Sequence, residues 1–215
     1  MLIDICGIDG CGKSTQAMLL KKCIEENSPK KCIVVHAFRP RRCSHELLEY
    51  ANKCGTDYYS MPGNLRTLSF LMDALINMVD VIVPELNKGK IVILEKYYID
   101  TLIYGPLMGA NEDSIKRICQ MFPRPDLTFL LNISPKTAVE RVLFREKNEH
   151  KEIVLKENYE LAFKAAKRYT DYYNQTKGKR SIYLLDGEGE IEEINNLIAN
   201  ICETFCLKHD PIVKI

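Results

Sequence analysis

Apolar residues along this chain fall into two kinds of run. Short, nearly continuous apolar runs bounded by turn residues lie near residues 2–6, 31–37, 89–95, 127–133 and 181–186. Between them, apolar positions recur with the spacing of helices. Continuous apolar runs separated by helices indicate strands that are buried on both faces, as in parallel sheets. The pattern therefore predicts an α/β fold with a five-stranded parallel sheet flanked by helices.

The helical segments are predicted from the same pattern. One begins near Ser14, and the others are expected near residues 44–54, 64–87, 98–104, 112–121, 135–147, 153–177 and 190–207. Ser134 and Pro135 suit the N-cap and the first turn of one of them. Residues 145–156 form the most polar stretch, and we expect a surface lid there. No repeat or linker divides the sequence, which predicts a single domain over residues 1–215.

Composition excludes several classes of function. Thirty Lys and Arg residues against 29 Asp and Glu leave a formal net charge of +1, so no overall field attracts nucleic acid or a membrane surface. We find no apolar stretch close to the roughly 18 residues of a membrane span, and no basic leader. We therefore expect a cytoplasmic protein with no nucleic-acid or membrane partner. The nine cysteines include no C-x-x-C pair, which indicates free thiols.

A phosphate-binding motif follows the first predicted strand. Residues 7–14 match G-x-x-x-x-G-K-[ST] between a strand and a helix. Its glycines let backbone N–H groups approach phosphate oxygens, Lys13 adds positive charge, and the Ser14 hydroxyl suits Mg²⁺. The motif predicts binding of ATP or GTP together with Mg²⁺. No N-K-x-D guanine-binding sequence is present, which favours ATP as the cofactor. The predicted nucleotide-binding residues are Gly7, Asp9, Gly10, Cys11, Gly12, Lys13, Ser14 and Thr15.

The chain as a whole resembles the thymidylate kinase family of P-loop nucleoside monophosphate kinases. Residues 7–16 are similar to that family's P-loop, and Glu95-Lys96-Tyr97 follows a strand where the family has Asp-Arg-Tyr. Residues 125–145 resemble its fourth strand and lid approach, and residues 186–194 resemble its adenine-side loop. The resemblance covers nearly the whole chain. It implies a three-layer P-loop kinase fold, a homodimer packed through helices such as 64–83, and ATP-dependent phosphorylation of dTMP or a related pyrimidine monophosphate.

The resemblance also implies contacts to the acceptor nucleotide. These are assigned to Asp9, Arg39, Phe70, Asp73, Lys96 and Tyr98. Arg39, Arg41 and Arg42 suit an anionic monophosphate, because each guanidinium can bind two oxygens. Phe70 matches an aromatic residue that stacks on the thymine ring, and stacking accepts any base. The family arginine that follows Asp73 is Ala74 here, so the identity of the base stays open.

Glu95 and Lys96 end a buried strand, the position at which α/β proteins bind ligands. The resemblance implies an acid near Mg²⁺ and a cation on the acceptor phosphate. Ser14 and Glu95 are therefore the predicted metal ligands. Lysine keeps the charge of the family's arginine but loses its planar, two-point grip on phosphate.

Charge on the transferring phosphoryl group requires a cation from the lid side, since no arginine lies in the P-loop. Arg141 and Arg145 lie one helical turn apart and face the same side. Together with Lys13 and Glu95 they are the predicted catalytic residues. Lys147 and Lys151 are rivals for the same role.

Two other functions stay open. The longer Glu95 also suits a general base toward a 5′-hydroxyl, as in a deoxynucleoside kinase, although a neutral nucleoside needs no arginine cluster. The residues at Lys96 and Ala74 also fit a nucleotide-binding regulatory protein without turnover. The four histidines, His36, His45, His150 and His209, lack metal-ligand spacing and receive no role.

Overall fold

A single parallel sheet forms the centre of the computed structural model, which describes residues 1–146, 151–178 and 181–209, with side chains outside 145–158 and 207–209. Its strands are β1 (Leu2–Cys6), β2 (Cys32–His36), β3 (Ile91–Glu95), β4 (Leu127–Asn132) and β5 (Ile182–Asp186). They lie in the order β2-β3-β1-β4-β5, and every pair is parallel. The predicted five-stranded parallel sheet is confirmed.

Helices cover both faces of the sheet. They are α1 (Lys13–Asn27), α2 (Cys43–Lys53), α3 (Gly63–Asn77), α4 (Val83–Asn87), α5 (Tyr98–Leu107), α6 (Glu112–Cys119), α7 (Pro135–Glu146), α8 (Lys151–Thr176) and α9 (Ile191–His209). A 3₁₀ turn, Tyr58–Ser60, precedes α3, and a π-helical segment, Met78–Ile82, joins α3 to α4. The predicted segments match to within three residues at their described ends. The predicted lid at 145–156 lies outside the side chains that the structure describes.

The stretch from α3 to α4 is one continuous helix, Gly63–Asn87. By length and composition it is able to cross a membrane, with a mean hydropathy of 1.5 in its most apolar window. The expectation that no such stretch exists is therefore wrong by this criterion. Core helices of soluble proteins satisfy it too, and 39% of the window is buried inside the protein. Leu71, Asp73, Ala74 and Asn77 are among the buried residues.

The central strand β1 carries an acidic residue into the core. Asp4 is completely buried, and neither of its carboxyl oxygens has a hydrogen-bond partner among the described residues. Burial, followed by the charge of Asp100, raises the pKa of Asp4 well above its ordinary range, against the opposing effect of Lys13. A buried acid without a partner is costly when charged. Asp4 therefore holds its proton more tightly in the folded protein than in the unfolded chain.

We expect the Asp4→Val variant to be more stable at neutral pH by roughly 1–3 kcal/mol, because it removes two unpaired buried acceptors and places a good strand former in β1. The folded-state pKa of Asp4 exceeds its unfolded value, so the parent protein's stability falls as the pH rises above about 4. Both Asp4→Val and Asp4→Asn should lose this pH dependence of stability. Only Asp4→Val should show the full gain in the free energy of unfolding. Urea unfolding at several pH values measures both; an unchanged pH dependence would contradict the assignment.

Candidate active site

The carboxyl ends of the three adjacent strands β1, β2 and β3 meet at one edge of the sheet. The P-loop follows β1, His36 ends β2, and Glu95 ends β3. A cavity of about 910 Å³ opens there, lined by residues 9–16 of the P-loop and, from other elements, by side chains that include Arg39, Lys96 and Arg141. Ligands of open α/β sheets bind at this edge. The predicted nucleotide-binding and phosphate-binding segments therefore face one cavity.

Two glycines give the P-loop its shape. Gly10 and Gly12 have φ values of 91° and 97°, which side chains with a Cβ seldom adopt. A Cβ at Gly10 would also lie 2.3 Å from the backbone oxygen of Ala138 in α7. The loop thus lies directly against α7, the helix that carries Arg141.

The backbone of the P-loop holds the Lys13 side chain in place. Its Nζ donates to the carbonyl oxygens of Gly7 at 2.8 Å and Ile8 at 3.0 Å, and lies 3.5 Å from Asp9 Oδ1. Burial alone would lower the pKa of Lys13, but Cys11 and Asp9 outweigh it and raise the pKa above its ordinary value. The ammonium group therefore stays charged beside the cavity that Lys13 lines.

Asp9 connects the P-loop to the end of β3. Its Oδ1 lies 2.7 Å from Lys96 Nζ. Burial alone would raise the pKa of Asp9, but Lys96 and then Lys13 lower it to about 2, so the carboxylate is ionised. Lys96 has a φ of 61°, a left-handed conformation that costs energy for a residue other than glycine. This strained backbone brings the Lys96 side chain into the cavity.

Ser14 and Glu95 form the one pair of predicted metal ligands. The Ser14 hydroxyl donates to Glu95 Oε1, so two hard oxygen ligands lie together beside the P-loop. The described residues contain no cluster of three or more His, Cys, Asp or Glu side chains able to hold a metal. Mg²⁺ commonly takes only one or two protein oxygens and fills its other positions with water and substrate phosphates. The pair therefore fits Mg²⁺ bound together with a nucleotide.

The arginine segment after β2 is fixed from behind by α3. The Asn77 amide donates to the backbone oxygens of Ala37 and Arg39, at 2.8 Å each. Arg39 and Arg41 line the cavity, whereas Arg42 donates to Asp80 at 3.0 Å. Two of the three guanidinium groups predicted to bind a monophosphate thus lie at the cavity.

Phe70 lies at the outer end of the arginine segment. The guanidinium carbon of Arg41 lies 5.7 Å from the centroid of its ring, and the Phe38 ring meets it edge to face at 6.2 Å. Phe70 is partly buried and is not among the residues that line the cavity. It is linked to the cavity through Arg41, which lies over one face of the ring, and through Phe38, which contacts His36.

The structure uses Asp73 as a helix cap. Its carboxylate accepts hydrogen bonds from the backbone N–H groups of Arg42, Cys43 and Ser44 and from the Ser44 hydroxyl, at 2.5–3.2 Å. Asp73 is buried, and these contacts engage both carboxylate oxygens at the start of α2. Asp73 is not among the residues that line the cavity, and its predicted contact with the acceptor stays a prediction.

We expect Asp73→Ala to lower the free energy of unfolding by about 2–3 kcal/mol, since four hydrogen bonds of a charged cap are lost. Asp80→Ala is the matched control on the same helix. Its half-exposed ion pair with Arg42 should cost under about 1 kcal/mol. Urea unfolding measures both effects. An Asp73 variant with full stability and weak acceptor binding would assign this residue to the substrate instead.

Tyr98 is not brought to the nucleotide cavity. Its ring is buried between Tyr97 and Phe122, with centroids 5.0 and 6.2 Å away. It lines a separate cavity of about 430 Å³ formed by α5, α6 and α8. Tyr104, which lies further along α5, does reach the P-loop. Its hydroxyl accepts a hydrogen bond from the Asp9 N–H at 3.3 Å.

Of the lid cations, only Arg141 can be placed. It lines the cavity, and its guanidinium donates to the Gly187 backbone oxygen at 3.3 Å. This contact joins α7 to the loop after β5. The side chains of Arg145 and Lys151, and all of Lys147, lie outside what the structure describes.

His36 is a cavity residue to which sequence reasoning assigned no role. It pairs with Glu95 across β2 and β3 and lines the cavity. Burial lowers the pKa of His36 to about 4; Glu95 opposes this, and Lys96 and Arg39 add to it. The signal was available, since His36 lies at the carboxyl end of the predicted strand run 31–37, as Glu95 does in the run 89–95. We assigned His36 no role because the four histidines lack the spacing of metal ligands.

Comparison with known proteins agrees with this geometry. A family model described as thymidylate kinase matches residues 5–198. The chain is 28% identical to "Probable thymidylate kinase 1" of Saccharolobus solfataricus, over 90% of this chain and 92% of that protein. It is 30% identical to "Probable thymidylate kinase" of Sulfurisphaera tokodaii, over 91% and 92%, and 24% identical to "Thymidylate kinase" of Caldicellulosiruptor saccharolyticus, over 94% and 95%. A match that runs from β1 into α9 shows that this chain belongs to the thymidylate kinase family.

Proposed function

We propose that this chain transfers the γ-phosphoryl group of ATP to dTMP or a closely related pyrimidine monophosphate, and releases ADP and the diphosphate. The observation that carries the proposal is that two surfaces suited to phosphate line one cavity. The P-loop with Lys13 forms one surface, and Arg39, Arg41 and Lys96 form the other. A donor triphosphate and an acceptor monophosphate each need such a surface.

The proposed chemistry is an in-line displacement without a covalent enzyme intermediate. An oxygen of the acceptor phosphate forms a bond to the γ-phosphorus while the bond from the γ-phosphorus to the β,γ-bridging oxygen breaks, and ADP carries away that electron pair. Lys13 balances charge on the β- and γ-phosphates. Lys96 and Arg39 hold the acceptor phosphate in line, and Arg141 approaches the transferring group from α7. Catalysis is then mainly positioning and electrostatic stabilisation.

Ser14 and Glu95 are the residues that would hold Mg²⁺ in this proposal. The adjacent hydroxyl and carboxylate supply oxygen ligands of the kind that Mg²⁺ prefers. When bound, the ion would neutralise part of the charge on the donor phosphates. The carboxylate of Glu95 also orients the Ser14 hydroxyl at the start of α1.

The test is ADP formation from ATP and Mg²⁺ with a panel of nucleoside monophosphates and the corresponding nucleosides. We expect turnover with dTMP and little with thymidine, its match without the phosphate. Turnover with nucleosides alone would replace the proposal with a deoxynucleoside kinase. ATP binding without acceptor-dependent turnover would indicate a regulatory nucleotide-binding protein.

We further propose a homodimer that packs through the continuous helix Gly63–Asn87. Its surface exposes the apolar side chains of Leu65, Leu68, Met72 and Val79, a surface that a partner would cover. The formal net charge of +1 gives no overall attraction to nucleic acid or a membrane surface, so we propose neither as a partner. We also propose a cytoplasmic location. Sedimentation equilibrium should give a dimer, and Met72→Lys should give a monomer. A monomeric parent protein would rule this assembly out.

A further inference from the structure

His36 lies beside Glu95, one of the two predicted metal ligands, and just before the arginine segment that follows β2. It is the last residue of β2, and its backbone is the register partner of Glu95 on β3. Arg39 follows three residues later, and its N–H donates to the His36 carbonyl oxygen at 2.9 Å. His36, Arg39 and Lys96 all line the cavity. An acceptor phosphate bound by Arg39 and Lys96 would therefore lie in the cavity that the His36 side chain also lines.

The hydrogen bonding of the ring fixes which nitrogen can donate. The backbone N–H of Phe38 donates to His36 Nδ1 at 3.3 Å, and from this contact we assign the lone pair of the neutral ring to Nδ1. The ring proton is therefore on Nε2. Among the residues that the structure describes, Nε2 has no hydrogen-bond or ion-pair partner. A fixed N–H donor in the cavity wall thus has no partner within the protein.

The ring is also held against rotation. The Phe38 ring meets it edge to face at a centroid distance of 6.1 Å and an interplanar angle of 70°, and Phe38 itself is buried. The same Phe38 N–H bond anchors the other side of the imidazole. A donor that is already oriented loses little entropy when its ligand binds, which favours its use in recognition.

We propose that His36 is a substrate-binding residue whose Nε2–H donates a hydrogen bond to a non-bridging oxygen of the acceptor's phosphate. This rests on the proposed monophosphate kinase function and adds a contact to it. Arg39 and Lys96 supply positive charge, and the oriented N–H of His36 fixes the position of one phosphate oxygen. The recognised group is the phosphate monoester, so the contact selects nucleotide over nucleoside and is indifferent to the base.

Three substitutions separate this contact from a packing role. Gln places its side-chain amide nitrogen near the position of Nε2, Asn places it near Nδ1, and Phe keeps the ring shape without a donor. We expect His36→Phe and His36→Asn to raise the KM for the acceptor about tenfold, as for loss of one hydrogen bond to a charged group. The KM for ATP should stay within about twofold, and His36→Gln should stay close to the parent protein.

Steady-state kinetics with the acceptor found in the panel gives these values, and thermal unfolding checks that each variant is folded. If His36→Phe is folded and its KM for the acceptor is unchanged, the inference is wrong. If Gln, Asn and Phe raise both KM values equally, His36 is structural and the inference is also wrong. A parent protein without acceptor-dependent turnover would overturn the proposed function itself, a result that these variants cannot produce.

Should the variants be too poorly folded for kinetics, the parent protein alone tests the proposal. Nitrogen NMR of imidazole-labelled protein should show His36 protonated at Nε2. Addition of the acceptor monophosphate should shift that nitrogen, and addition of the matching nucleoside should not. A ring protonated at Nδ1, or equal shifts with both ligands, would overturn the assignment.

Discussion

Lys13→Ala should lower kcat/KM for phosphoryl transfer by about 10³-fold or more, because Lys13 is the buried cation among the P-loop side chains. Loss of a single preorganised charge stabiliser in an enclosed site has effects of this order. Part of the loss should appear as weaker ATP binding, since the proposed function places Lys13 against the donor phosphates before reaction as well as during it. Initial rates of ADP formation and equilibrium binding of an ATP analogue measure the two parts.

The control for this variant is Lys22→Ala on the same helix. Lys22 is largely exposed and lies 3.8 Å from Glu26 in an ion pair, so its removal should leave both rates and binding within about twofold. Lys13 also holds the loop through Gly7 and Ile8. Lys13→Met, which keeps much of the side-chain volume, should therefore be as inactive as the alanine variant. Activity in Lys13→Met close to the parent value would show that the charge is not needed.

The sheet and the P-loop were predictable because their signals are local. Buried parallel strands are apolar throughout, so the apolar run of Ile91–Leu94 marks β3 without knowledge of its neighbours. The P-loop is a contiguous motif whose glycine conformations are required by its own backbone. The strand order, by contrast, depends on which strands pair, and the residue pattern carries no record of that.

Roles that depend on a neighbouring element could not be read in this way. Asp73 lies on α3 one turn after Phe70, a spacing equally suited to a substrate contact and to a cap on another helix. Only the position of α2 gives its carboxylate the N–H groups of residues 42–44. Tyr98 differs from Tyr104 in the same way. Both are on α5, and the packing of Phe122 against Tyr98 turns one into the core and leaves the other beside Asp9.

Glu95, proposed above as a Mg²⁺ ligand, has the second large expected effect. Glu95→Gln should lower kcat by about 10²–10³-fold and raise the Mg²⁺ concentration needed for half-maximal rate, because an amide is a weaker ligand than a carboxylate for a hard cation. Glu95 also accepts a hydrogen bond from the Ser14 hydroxyl, which orients that hydroxyl. Rates measured across a Mg²⁺ titration at saturating ATP separate weaker metal binding from a lower maximal rate.

Glu95→Asp and Glu49→Gln complete the experiment. The first keeps the carboxylate and restores the acid type of the family, so it should recover most of the rate at high Mg²⁺. The second removes a charge from the surface of α2, where Glu49 lies 3.7 Å from Lys53, and should behave as the parent protein. A Glu95→Gln variant with lower kcat but an unchanged Mg²⁺ requirement would remove Glu95 from the metal site. Since the P-loop lies on one side of Glu95 and His36 on the other, that result would leave the carboxylate to act on the acceptor, which is the chemistry of a general base.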